Sequence, residues 1–174
     1  MRRPSKGVTA VAIALVIAAV GGGVLSRSLR HSGASPSRAT AASVLVLLNQ
    51  QRAAHRLLPL ALDANLTRAA LSHSADMLRR GYFAHDGPQG AWDVRIRRFA
   101  GRAVLGEILE YGSGHYATAD GIVAAWMESA AHRRVILTPD LRLIGIGIVV
   151  GTFRGQDGVA MTTGDLSSQK LAAG

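Results

Sequence analysis

The stretch RLIGIGIVVGTFRGQDGVAMTTGD, residues 142–165, decides the fold of this chain. Within residues 142–153 the aliphatic side chains alternate, and this period of two predicts a β-strand with one buried face, formed by Ile144, Ile146, Ile148 and Val150. Residues 159–165 predict a second strand, and the run RGQDG at 154–158 predicts the hairpin loop between the two. An antiparallel pair is therefore expected at the end of the domain.

Helical patterns precede this pair. Capping residues and apolar positions at helical spacing set the limits of these helices. Thr40 caps a predicted helix over residues 40–55, and Asp63 caps a second that ends at Arg80, before Gly81. A third is predicted over residues 92–99, with Ile96 on its apolar side, and Thr118 caps a fourth that buries Trp126. The third of these helices is expected to carry its arginines on its outer side. Residues 104–111 predict one more strand. Helices first and an antiparallel pair last predict an α+β domain in which helices pack on a small sheet.

The first 40 residues have a different composition from the rest. Residues 8–25 contain no charged side chain and follow a basic start, and a helix of this length spans roughly 27 Å. They predict a membrane anchor, with a cleaved signal peptide as the alternative, so that residues 1–25 place the protein outside the cytoplasmic membrane, either anchored or secreted. Residues 26–40 predict a flexible linker, residues 41–168 the globular domain and residues 169–174 a tail.

Charge and cysteine content exclude several classes of function. The 174-residue chain carries a formal net charge of +9, but its first 38 residues hold six basic side chains and no acid. No basic stripe is interleaved with aromatic residues, so nucleic acid is not an expected partner. The chain has no cysteine, which excludes disulfides, thiolate metal ligands and a cysteine nucleophile.

Several short segments occur in a fixed order along the domain, and together they resemble the bacterial branch of the CAP superfamily, the SCP-like extracellular domains. The resemblance covers about residues 43–166. The segments are VLVLLNQQRAAHRLLPL at 44–60, LTRAALSHSADM at 66–77, GYFAH at 81–85, GE at 106–107, W-x2-S-x2-HR-x2-IL at 126–137 and IGIG at 144–147. The resemblance implies a three-layer α–β–α sandwich with a small antiparallel sheet and a central cleft.

The same resemblance implies the residues of that cleft. Family positions for two histidines and a glutamate fall on His85, Glu107 and His132. His73 matches a position that is typical of the bacterial branch, although a histidine on an apolar helical stripe is also expected simply to pack. Ser129 stands where eukaryotic relatives have a second glutamate, three residues before His132, so the two side chains can touch.

The chain departs from the family pattern beside the expected cleft. The family's GEN segment has Ile108 in place of asparagine, so one polar contact is missing. The late W-T-Q-D-F pattern appears only as residues 161–166, MTTGDL. Any property that requires the complete set of family residues is therefore not implied for this chain.

The candidate residues also have a chemical interpretation of their own. On the predicted strand Glu107 shares a face with Leu105 and Leu109, and a carboxylate among apolar neighbours needs a partner. His85 and His132 are available as partners. Two imidazoles and a carboxylate form an incomplete shell for a divalent cation, zinc by preference, with an open position for water. The alternative is a hydrogen-bonded His–Glu–His network without a metal.

The sequence therefore leads to one main hypothesis about function and two rivals. The main hypothesis is an extracytoplasmic CAP-like domain whose His85–Glu107–His132 cleft binds a ligand, with or without a divalent metal. The first rival is a hydrolase of cell-envelope peptide or glycan, with Glu107 and His132 as catalytic residues. The second is a non-catalytic module that binds a lipid or another envelope component. The small molecule, lipid or envelope partner is not identified by the sequence.

Overall fold

The computed structural model describes residues 36–88, 90–100 and 103–168 of the chain. The predicted membrane segment at residues 8–25, most of the predicted linker and the predicted tail lie outside these residues. Within the described part of the chain, no helix has the length and apolar character needed to cross a bilayer.

The described residues form five α-helices, one short 3-10 helix and four strands. In chain order these are α1 (Pro36–Ala54), β1 (Ala61–Leu62), α2 (Ala64–Arg80), α3 (Trp92–Ala100), β2 (Leu105–Gly112), the 3-10 helix (Gly114–Ala117), α4 (Ala119–Glu128), α5 (Ala130–Ile136), β3 (Leu143–Phe153) and β4 (Gln156–Ser167).

The sheet has the strand order β1-β3-β4-β2. Strand β4 pairs antiparallel with β3, as the sequence predicts, and on its other side it pairs antiparallel with β2, for which the sequence named no partner. The two-residue strand β1 was not predicted, and it pairs parallel with the start of β3, where Ala61 lies opposite Leu143. The sheet is therefore mixed rather than purely antiparallel, and β2 forms one of its edges.

One face of the sheet is covered by α1 and α4. The side chains of Ile144, Ile146 and Ile148 on β3 pack here, each at most 5% exposed. They join a cluster of buried residues that the two helices contribute, namely Val44, Leu48, Ile122, Val123 and Trp126. Trp126 is fully buried and anchors this cluster.

Helix α2 covers the opposite face of β3, and the glycines of the IGIG segment allow it to lie very close. A Cβ atom on Gly145 would stand 2.0 Å from the backbone carbon of Leu66, and one on Gly147 would stand 2.3 Å from that of Ala70. Any larger residue would push the helix away from the sheet. The alternation of isoleucine and glycine thus builds both layers, and the predicted three-layer sandwich is confirmed.

The predicted helix caps are present. Asp63 Oδ1 accepts hydrogen bonds from the N–H groups of Asn65 and Leu66 at the start of α2. Gly81 ends this helix with a left-handed φ of 71°. The side chain of Thr118 accepts from Gly121 N–H at 3.1 Å and so begins α4.

Two element boundaries and the exposure of one side chain differ from the sequence predictions. Helix α1 begins at Pro36, because proline is tolerated in a first helical turn, so Thr40 lies inside the helix and residues 36–40 do not belong to the linker. The hairpin turn is only Arg154–Gly155, whose φ values of 51° and 81° suit a two-residue turn, and β4 already begins at residue 156. Val150, predicted to be buried, is 57% exposed.

Candidate functional site

A cleft of about 340 Å³ opens at the β2 edge of the sheet. One wall comes from the loop before α3 and from α3 itself, with His85 and Trp92, and the floor comes from the start of β2. The other wall comes from α5, with Ala131, His132 and Val135. The structure therefore brings the three predicted cleft residues, His85, Glu107 and His132, to one cavity.

Glu107 is the buried anion of this cleft. Its side chain is 1% exposed, and its Oε1 atom lies 2.8 Å from Nδ1 of His85. Its Oε2 atom pairs with the guanidinium of Arg95 on α3. The contact between His85 and Glu107 agrees with the predicted partnership, whereas the arginine was expected on the outer side of its helix.

The side chain of Arg95 points inward because Arg95 lies between Trp92 and Ile96, which pack α3 against the rest of the domain. Trp92 lies three positions before it and lines the cleft, and the fully buried Ile96 follows it. The side chain of Arg95 is only 20% exposed. Sequence alone offered one signal for this placement: a buried glutamate needs a cation, and Arg95 lies at the border of the apolar stripe of α3.

Asp165 is a second carboxyl group beside Glu107. The register of the sheet places the two residues directly opposite each other on β4 and β2, so their side chains share a face. Asp165 is fully buried, and its Oδ1 atom lies 3.6 Å from Nη2 of Arg95. Among the described residues neither oxygen of Asp165 accepts a hydrogen bond. Burial raises the pKa of Asp165 to about 7, against the opposing charges of Arg95 and His85.

His132 reaches the cleft from α5, a separate helix that the sequence did not distinguish from α4. The helix is interrupted at Ser129, whose extended backbone ends α4. The hydroxyl group of Ser129 accepts a hydrogen bond from His132 N–H at 3.4 Å at the start of α5. The predicted contact between these two residues is thus a helix cap, and Ser129 is not among the cleft-lining residues. Nδ1 of His132 is buried and has no hydrogen-bond partner within the described part of the chain.

Burial favours the neutral form of both cleft imidazoles by lowering their pKa values. Burial lowers the pKa of His132, and the neighbouring His85 lowers it further. Burial also lowers the pKa of His85, with Arg95 acting in the same direction and Asp86 against it. A neutral imidazole offers one N–H donor and one acceptor, so each ring can both give and take a hydrogen bond.

His73 lies behind Arg95 and not in the cleft. It is 4% exposed, and its Nε2 atom lies 3.0 Å from the carbonyl oxygen of Ala84. Burial, together with the charge of Arg95, lowers the pKa of His73 to about 4. The ring borders a separate small cavity of about 30 Å³ with Asp76 and Tyr82, so it holds the 82–85 loop against α2 as a packing residue.

A three-ligand metal site does not fit this geometry. Each oxygen of Glu107 is already engaged, one by His85 and the other by Arg95. Across residues 36–88, 90–100 and 103–168, no group of three histidine or acidic side chains is placed to hold a metal ion. The imidazoles of His85 and His132 remain as donors. Divalent-metal binding by these two imidazoles stays a prediction.

Fold and cleft together define an α–β–α sandwich whose buried glutamate orients a histidine at the edge of the sheet. The model of the CAP family, described as the cysteine-rich secretory protein family, matches residues 45–162. This match covers more than half of the chain, so the chain belongs to the CAP family, although it contains no cysteine.

Two proteins of Bacillus subtilis are similar in sequence. The uncharacterised protein YkwD is 33% identical over 108 residues, which make up 61% of this chain and 41% of YkwD. The uncharacterised membrane protein YlbC is 28% identical over 105 residues, which make up 60% of this chain and 30% of YlbC. The chain thus spans less than half the length of either relative.

Solved structures share the fold. An extracellular protein of Bacillus anthracis that contains an SCP domain has a TM-score of 0.61 at 24% identity, over 76% of this chain and 41% of that one. An outer surface protein of Borrelia burgdorferi has a TM-score of 0.66 at 17% identity, over 77% of this chain and 96% of that one. At these identities the likeness supports the fold alone.

Proposed function

We propose that this CAP domain works outside the cytoplasmic membrane and binds a ligand in the cleft between His85 and His132. Two observations support the location. The uncharged stretch at residues 8–25 follows a basic start, as in exported proteins. Proteins that share the fold are described as extracellular and as an outer surface protein.

The imidazole rings of His85 and His132, which face each other across the open cleft, carry the binding proposal. The ring of His132 is only partly buried, and because its Nδ1 atom is enclosed, a molecule in the cleft would meet this ring at Nε2. An imidazole nitrogen at a cleft surface can donate or accept a hydrogen bond. On the opposite wall Glu107 holds His85 at Nδ1, which leaves the Nε2 atom of that half-exposed ring for the same molecule.

The geometry makes Glu107 an orienting residue rather than the general base of the hydrolase alternative. A general base must have a free lone pair directed at the substrate. Both oxygens of Glu107 are engaged by other side chains, so this carboxylate orients His85 and balances the charge of Arg95. The hydrolase alternative predicts that Glu107→Gln abolishes turnover in a folded protein, and no observation favours it here.

Ring signals of the two histidines provide the test. The full chain is titrated with an N-acetylglucosamine oligosaccharide, a short-chain phospholipid, a mixture of random seven-residue peptides and Zn²⁺, while NMR follows His85, His132 and the distant His55. We expect one of the three organic probes to shift both cleft rings and not His55, with the shift lost in His132→Ala. If none of them shifts the cleft rings, the binding proposal is wrong. Saturable zinc binding at both rings would instead establish the metal prediction.

A further inference from the structure

The floor of the cleft is an open strand edge. Two backbone hydrogen bonds fix which way the groups of β2 point: Ser168 N–H donates to Val104 O at 2.9 Å, and Arg142 N–H donates to Ser167 O at 3.0 Å. In an antiparallel ladder the direction alternates from residue to residue. The even-numbered residues of β2 therefore bond to β4, and the odd-numbered ones point their N–H and C=O groups outward.

The outward groups include those of Leu105 and Glu107, which line the cleft. No hydrogen bond from another described residue reaches the main-chain N–H or C=O groups of either residue on that side. Farther along the same edge, Tyr111 N–H is taken by the side chain of Glu110 at 3.1 Å. At the Tyr111 end of β2, a side chain of the same strand therefore occupies an outward N–H group. At the cleft, the outward groups of Leu105 and Glu107 have no such partner among the described residues.

The two cleft walls stand on opposite faces of the sheet. His85 and Trp92 lie on the face that Glu107 shares with α2 and α3, whereas Val135 lies on the other face, against Gly106. A strand that extends a sheet directs successive side chains to opposite faces. A peptide laid along β2 would therefore direct one side chain towards His85 and the next towards His132.

We propose that the ligand of this cleft is an extended peptide segment that pairs with β2 at Leu105 and Glu107 as an added strand. This inference rests on the proposed binding function and names the class of ligand. Outward N–H and C=O groups of the two residues recur at roughly the 6.8 Å spacing of alternate positions in a strand, so a peptide main chain matches them. A glycan or an acyl chain has no such repeat of donors and acceptors.

The first test uses the ligand itself. Seven-residue peptides displayed on phage are selected against the full chain, and the best binder is synthesised with N-methyl groups at single positions. Only one edge of a bound strand faces β2, so we expect methylation to weaken binding at least tenfold at alternate positions and less than twofold between them. Loss without alternation, or a selection that yields no binder, would overturn the proposal.

The second test changes the protein edge. Leu105 is the first residue of β2, where proline is tolerated, and its N–H points outward, so Leu105→Pro removes a donor to the peptide and none to β4. Leu105→Val also changes the side chain but keeps the N–H, so it is the reference for the proline variant. We expect the proline variant to bind at least tenfold more weakly than the valine variant, with circular dichroism confirming the fold of both. Equal affinities in two folded variants would count against strand addition.

These results separate the two proposals. If the oligosaccharide or the phospholipid shifts the rings of His85 and His132 while no peptide binds, the cleft is a ligand site and only the peptide inference falls. If a peptide binds with the alternating pattern but the NMR ring signals of neither histidine shift, the β2 edge binds the peptide and the role assigned to the imidazoles is wrong.

Discussion

Two arginines of this domain, Arg52 and the partly buried Arg95, are stabilised by different kinds of partner. Arg52 on α1 is fully buried, has no carboxylate partner among the described residues, and donates at 2.6–3.0 Å to the backbone carbonyl oxygens of Leu58, Ile136, Thr138 and Leu141. Arg95 on α3 instead pairs with Glu107 and lies near Asp165, and its Nη1 atom has no partner within the described part of the chain.

The difference separates a structural cation from a cation of the site. Carbonyl dipoles do not titrate, so the setting of Arg52 does not change with pH, and the side chain ties the end of α5 to the connections around β1 and β3. Carboxyl groups do titrate, so the charge around Arg95 depends on pH and on the state of the cleft.

The largest effect is expected for Arg52→Met. This substitution keeps much of the side-chain volume but leaves four carbonyl groups without their donors, two of them bonded to Arg52 in fully buried surroundings. We expect the free energy of unfolding to fall by about 4 kcal/mol, measured by urea denaturation. Arg134→Met, at an exposed position of α5, is the control and should change it by less than about 0.5 kcal/mol. Similar losses in both variants would contradict the assignment of Arg52 as a clamp.

Arg95→Met should destabilise the protein by about 3 kcal/mol at pH 7, because it leaves Glu107 buried beside Asp165 without its cation. The double variant Arg95→Met/Asp165→Asn removes the second carboxyl group as well. Because Arg95 opposes the raised pKa of Asp165, we expect Asp165→Asn to stabilise the Arg95→Met protein by at least about 1 kcal/mol more than it stabilises the wild type. Equal effects of Asp165→Asn in the two backgrounds would show that Arg95 and Asp165 do not interact.

Asp165→Asn alone should reveal the pH dependence. Burial raises the pKa of Asp165 to about 7, so the folded state keeps a proton that the unfolded chain releases near pH 4. Stability from this group is therefore complete in acid and is lost as the pH rises from about 4 to about 7. We expect the variant to match the wild type at pH 4 and to exceed it at pH 8, by up to about 4 kcal/mol for a shift of about three pKa units. Equal stabilities at both pH values would refute the raised pKa.

Local patterns predicted most of the fold. Asp63, Gly81 and Thr118 mark helix limits through hydrogen bonds to nearby residues, and the alternation along β3 records its two faces. Such signals depend on neighbours in the chain, so they can be read from the sequence. The break at Ser129 was missed because a serine three residues before a histidine fits one continuous helix as well as a cap between two.

The candidate site was predicted only in part, for a related reason. His85 and Glu107 were identified through short motifs and through the need of a buried carboxylate for a partner. Arg95 and Asp165 complete the cluster through the pairing register of β2 with β4 and through the orientation of α3, and both are long-range properties. Asp165 was present in the sequence only as the end of an imperfect family pattern.

The smallest expected effects contrast the two cleft histidines, and here the two substitutions should act with opposite sign. His132→Phe keeps a planar ring and removes a buried Nδ1 that lacks a partner, so it should raise the free energy of unfolding by about 1 kcal/mol. His85→Phe removes the 2.8 Å hydrogen bond to Glu107 and should lower it by about 1 kcal/mol. Urea denaturation of both variants at pH 7 measures the difference. A loss of stability in both would mean that Nδ1 of His132 already has a hydrogen-bond partner in the free protein.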